Sequence, residues 1–70
     1  IDPKTIFKTI LLSNANAFIM VHNHPSGDPT PSEEDYKITN ILKQASNLLD
    51  IKFLDHIVIG NDNYISCMEV

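Results

Sequence analysis

Apolar residues fall into five short blocks along the chain, and the spacing within each predicts its shape. Ile6, Phe7, Ile10 and Leu11 recur at helical intervals. Asp2-Pro3 ahead of them is a helix start, an N-cap followed by proline where its missing N–H does no harm. Asn14-Ala15-Asn16 closes that segment. Ala17 to Val21 is an unbroken apolar run too short for a helix, and it reads as a buried strand. A proline-rich loop occupies residues 22–31. From Ser32 the pattern turns helical again, with Ile38, Ile41, Leu42, Ala45, Leu48 and Leu49 on one stripe and the end near Asp50. Phe53 to Ile59 is strand-like, Gly60-Asn61-Asp62-Asn63 is a turn, and Tyr64 to Met68 pairs back as a hairpin.

The order helix–strand–helix–strand–strand predicts an α/β layer, with helices packed on a sheet. The first two strands are joined through a long helix, so a parallel pair with a right-handed crossover is expected. Seventy residues, 43% of them hydrophobic and 20% charged, fit one small globular domain. Such a chain buries only about 60% of its unfolded surface. It opens on Ile-Asp-Pro without an initiator Met, so a piece of a longer protein is expected.

Charge narrows the function. Nine acidic residues face five lysines and no arginine, a net charge of −4. Nucleic-acid binding needs a cationic surface, which this segment does not supply. Cys67 is the single cysteine, so no disulfide framework exists within the chain; a reducing, cytoplasmic setting is the expectation. No apolar run is long enough to suggest a membrane span, and no membrane partner is expected.

The chemistry concentrates in HNHPSGDPTPSEED, residues 22–35. His22 and His24 stand at i and i+2 where a strand ends, a spacing that points both imidazoles to one side. Pro25 forces extended backbone on His24, and Pro29 and Pro31 do the same to Asp28 and Thr30. Gly27 is the flexible hinge. Ser32-x-x-Asp35 before an apolar periodic run has the form of a capping box. Glu33 and Glu34 suit a helix N-terminus through its dipole, and should face away from any ion. Two histidines from a strand end and one carboxylate from the next helix also make a His₂Asp set. Three protein ligands with room for water is the catalytic pattern for zinc. Cap and ligand need not compete, because a carboxylate has two oxygens and a serine that accepts an amide still has its own hydrogen.

His22-x-His24-Pro25, six residues, then Ser32-x-x-Asp35, resembles the JAMM/MPN+ metalloprotease signature. With HNHPSGDPTPS and the downstream LDHIVIG, the chain closely resembles the RadC family, bacterial proteins traditionally labelled DNA repair proteins, from Asp2-Pro3 to Met68. The resemblance implies an MPN (JAB)-type α/β fold related to cytidine deaminases, a mixed sheet flanked by helices. Residues 1–70 would be the C-terminal part of one such domain. It implies zinc held by His22, His24 and Asp35, Ser32 assisting a tetrahedral intermediate, and a peptide or isopeptide substrate. It also implies a general acid/base glutamate on an earlier strand, and no acid between Ile1 and His22 matches it except the cap Asp2. This segment would therefore hold metal weakly and hydrolyse no amide alone.

Elsewhere, His56 reads as a histidine hydrogen-bonded within the sheet, or as one standing behind the ligands with Asp55 orienting a ligand histidine. Cys67 reads as a buried strand residue and not a ligand. Lys37, Lys43 and Lys52 read as solvated. The rival functions are a DNA-repair role, a non-catalytic interaction module on the same fold, and a non-haem iron site, which also uses two histidines and a carboxylate.

Overall fold

A computed structural model of the chain describes residues 2–68. Five elements follow in order: α1 (Pro3–Leu12), β1 (Ala17–Asn23), α2 (Glu33–Leu49), β2 (Lys52–Ile59) and β3 (Tyr64–Ser66). The sheet order is β1-β2-β3, with β1 and β2 parallel and β3 antiparallel to β2. This is the mixed α/β layer that the alternation of patterns predicts.

Each helix is set by its ends. The Asp2 carboxylate accepts from Lys4 N at 3.0 Å and from the Thr5 hydroxyl at 3.1 Å, and Pro3 follows inside the first turn. Helix α1 closes at Ser13, and Asn14 turns the chain away at φ 54°. Helix α2 ends on Asp50, also left-handed at φ 57°. Ser46 O then accepts from Ile51 N, and Asn16 O from Lys52 N, which seats the start of β2 beside the start of β1.

Phe7, Ile10, Ile38, Leu42 and Ile51 form the buried core, with Phe18, Met20, Ala45 and Phe53 packed against it. Phe18 stands edge-on to Phe7 and stacks on Phe53 at 4.8 Å. The stripe of α2 is turned relative to expectation. Asp35, Ile38, Thr39, Leu42 and Ser46 are buried, whereas Ile41, Leu48 and Leu49 are exposed. Residues 35, 38, 39, 42 and 46 share one helix face. Three polar residues, Asp35, Thr39 and Ser46, lie on that face, and three apolar residues of the sequence stripe lie off it.

Three strand boundaries also differ from the pattern, the smallest being the start of β2 at Lys52, one residue early. Strand β1 continues through His22 and Asn23, because Val58 and Ile59 pair with them irrespective of side-chain polarity. Strand β3 stops at Ser66, and Cys67 and Met68 lie in the turn beyond.

One irregularity decides what reaches the site. The register runs Phe18↔Phe53, then Ile19↔Asp55 and Met20↔His56, so Leu54 is an extra residue in β2. Side chains alternate along a strand, and one inserted residue reverses the parity. Phe53 and His56 therefore share the helix-covered face, while Leu54 is left 57% exposed.

A candidate metal centre at the end of the first strand

His22 lies near the C-terminal end of β1 and His24 just beyond it, and Asp35 is the third residue of α2. The capping box expected from Ser32-x-x-Asp35 is formed: Ser32 Oγ accepts from Asp35 N at 3.1 Å, and Asp35 Oδ2 accepts from Ser32 N at 2.7 Å. That same carboxylate turns to the histidines. His22 Nδ1 stands 3.0 Å from Oδ1, and His24 Nε2 stands 3.0 Å from Oδ2. Asp35 is 3% exposed, and one donor atom from each residue lies within 4.8 Å of the others. Among the described residues this is the cluster of histidine, cysteine and acidic groups able to hold an ion.

The loop between them is held rigidly. His24 N donates to Ile59 O, continuing the ladder past β1, and Gly27 N donates to His24 O. Gly27 adopts φ +87°, a left-handed conformation that glycine takes without strain. Its carbonyl accepts from Asn61 N, and the Asn61 side chain lies against it where a Cβ would point. The turn between β2 and β3 thus clamps the loop that joins β1 to α2. Asp28 Oδ1 accepts from Thr30 N at 3.0 Å, an Asx-type turn that lowers the Asp28 carboxyl below its ordinary range.

His24 Nδ1 lies 2.9 Å from the Asp28 carbonyl and its Nε2 faces the Asp35 carboxylate, so both ring nitrogens meet acceptors. A neutral imidazole has one N–H. With that hydrogen on Asp28 O, Nε2 presents a lone pair to a carboxylate oxygen, an arrangement that a cation between them resolves. Ligand histidines in metal sites orient themselves through such a carbonyl. His22 Nδ1 is buried and, despite its 3.0 Å approach to Asp35, makes no hydrogen bond. Donors sharing one zinc at 2.0–2.1 Å stand roughly 3.3 Å apart; each imidazole–carboxylate pair stands at 3.0 Å and the whole set within 4.8 Å, so the residues fit a divalent ion once the donors draw together.

Burial pushes the Asp35 carboxyl up, but the Ser32 amide and hydroxyl, helped by His22 and His24, outweigh it and hold the group below the usual carboxylate value. It is an anion at neutral pH.

The remaining candidates fall as follows. Ser32 borders, with His22 and Asp35, a groove of about 550 Å³ whose far wall is Pro3, Ile38 and Ile41. Glu33 stands apart from that groove. Glu34 lies on its rim, 85% exposed and 3.6 Å from Lys37, outside the His22–His24–Asp35 cluster. Lys37, Lys43 and Lys52 are exposed. Cys67 is buried outside the cluster; burial pushes its thiol up, against a hydrogen bond to Thr39. Asp55 orients no ligand histidine, since its Oδ1 accepts from His56 N and Ser66 Oγ. Thr39 carries no sequence signal of a role, yet its hydroxyl donates to Asp35 O at 2.7 Å and meets His56 Nδ1 at 2.6 Å.

An α/β layer that sets two strand-end histidines against a helix-cap aspartate defines a JAB-type domain. All of residues 1–70 match the family model described as a RadC-like JAB domain, and the chain belongs to that family. It is 50% identical over 66 residues to a UPF0758 protein of Coprothermobacter proteolyticus, covering 94% of this chain and 28% of that protein. It is 49% identical over 69 residues to one of Caldanaerobacter subterraneus and 48% identical to one of Thermotoga maritima. These cover 99% of the chain and 30% and 31% of the relatives, so the chain spans less than a third of their length. Among the described residues no helix is long and apolar enough to cross a membrane.

Proposed function

We propose that this chain is the ion-holding part of a zinc-dependent hydrolase of peptide or isopeptide amides, with His22, His24 and Asp35 as the ligands. The reading is carried by the meeting of His22 Nδ1 and His24 Nε2 with the two oxygens of one buried carboxylate. A zinc ion held there supplies a Lewis acid that makes water nucleophilic near neutral pH.

The chain's own residues then divide the work. Asp28 O keeps His24 in the tautomer whose Nε2 is a ligand. Ser32 Oγ accepts from Asp35 N, so its orientation is set, and its hydroxyl, which otherwise leans on the Asp35 carboxylate, stands at the groove to steady a developing oxyanion. Pro3, Ile38 and Ile41 offer an apolar wall to the substrate beside the site. Within the described residues no further carboxylate joins the cluster, so the general base is assigned to a glutamate elsewhere in the full-length protein.

Elemental analysis of the full-length protein beside its Asp35→Ala variant tests the ligand set. About one equivalent of zinc is expected in the first and little in the second; equal content refutes the assignment. Cleavage of an isopeptide-linked substrate, abolished by a chelator and restored by zinc, tests the reaction.

A further inference from the structure

Alone of the three histidines, His56 is wholly buried, and the Leu54 bulge is what turns it toward the helices. Its ring lies nearly parallel to that of His22, 6.3 Å between centroids and 19° between planes. Its Nδ1 is 2.6 Å from Thr39 Oγ1, and Thr39 Oγ1 donates to the carbonyl of Asp35. A hydroxyl has one hydrogen. With that hydrogen on Asp35 O, the Thr39 oxygen accepts from His56 Nδ1–H, and the donations run His56 to Thr39 to Asp35. The other nitrogen, Nε2, is buried without a hydrogen-bond partner among the described residues. Burying an unpaired polar atom is unfavourable, so an apolar ring would serve better if His56 only filled space.

We infer that His56 is a positioning residue of the metal centre: through Thr39 it fixes the backbone of Asp35, and through its ring face it fixes the plane of His22. The inference rests on the metal-centre reading above. Its backbone is also held away from the ligands, since Asp55 Oδ1 accepts from His56 N at 2.8 Å and His56 O accepts from Cys67 N at 2.8 Å. The ring is carried by β2, which pairs with β1 through Met20↔His56 and His22↔Val58, and it meets Thr39 of α2. One turn of α2 separates Thr39 from Asp35, so any movement of the hydroxyl is passed to the carboxylate.

The test uses Co(II) as the probe, bound to the full-length protein, with affinity and visible spectrum as readouts and thermal unfolding alongside. Thr39→Val and His56→Phe are each expected to weaken Co(II) binding about tenfold or more and to alter its spectrum. Because both act through one chain of donation, the double variant should be scarcely weaker than the worse single one. His56→Asn, which keeps a donor where Nδ1 lies, should stay within about threefold of the parent. Variants that melt lower yet bind Co(II) with unchanged affinity and spectrum overturn the inference and leave His56 a packing residue. Should His56→Phe fail to fold, Thr39→Val against His56→Asn decides: unchanged affinity in Thr39→Val overturns it, and loss in Thr39→Val alone supports it. A parent protein that takes up no Co(II) overturns the metal reading itself, a result visible before any variant is compared.

Discussion

His24 Nε2 and Asp35 Oδ2 stand 3.0 Å apart, while His24 Nδ1 lies 2.9 Å from the Asp28 carbonyl and Asp35 Oδ2 also accepts the Ser32 amide. Helix cap and histidine contact thus share one carboxylate. The acid that completes the capping box is delivered, by the cap itself, to the histidines at the end of β1.

That double use can be separated by substitution. Ser32→Ala removes the oxygen that accepts Asp35 N and should cost about 1 kcal/mol of stability, the usual worth of an N-cap. The zinc stoichiometry should be retained. Asp35→Asn still accepts the Ser32 amide, so its stability should change by less than about 1 kcal/mol. Its zinc affinity should fall by more than the 10–100-fold typical of residues behind the ligands. Denaturant unfolding and competitive zinc titration, run side by side, check both.

Gly27→Ala should destabilise the ligand loop by about 1–2 kcal/mol, because φ +87° is costly for any residue with a Cβ. The new methyl also meets the Asn61 carboxamide. Adding Asn61→Ala should recover the steric part and not the backbone part. A double-mutant cycle on thermal unfolding measures the split; full recovery would mean that the backbone is not strained.

Acid should weaken the metal-free protein in two stages. Burial pushes the His56 imidazole below its ordinary value, opposed by Asp35 and Asp55. The unfolded chain then binds the extra proton first, so stability falls as pH drops below about 6.5 and levels off beneath the folded value. Asp35, held low by Ser32, contributes stability present above about pH 3.9 that is lost as pH falls through its folded value. Urea midpoints from pH 8 down to about pH 2 follow both, and His56→Phe should erase only the upper stage.

His22, His24, Ser32 and Asp35 are all legible in the sequence, because histidine spacing and a capping box survive as local patterns. The element order is legible for the same reason. What the sequence hides is relational. The bulge at Leu54 leaves no mark, since Phe53 and Leu54 are both apolar and either could face inward. The rotation of α2 is hidden too. The apolar stripe includes Ile41, Leu48 and Leu49, which end exposed, while the polar Asp35, Thr39 and Ser46 take buried places on the inward face. Thr39, one turn beyond Asp35, looks like any helical threonine until His56 stands beside it.

The central claim is that two imidazoles and one carboxylate of this segment hold the ion. X-ray absorption at the zinc edge of the zinc-loaded full-length protein tests it most directly. The expected spectrum has only nitrogen and oxygen neighbours at about 2.0–2.1 Å, with outer-shell scattering from two imidazole rings. A sulfur neighbour near 2.3 Å, or scattering from a single imidazole, would contradict it.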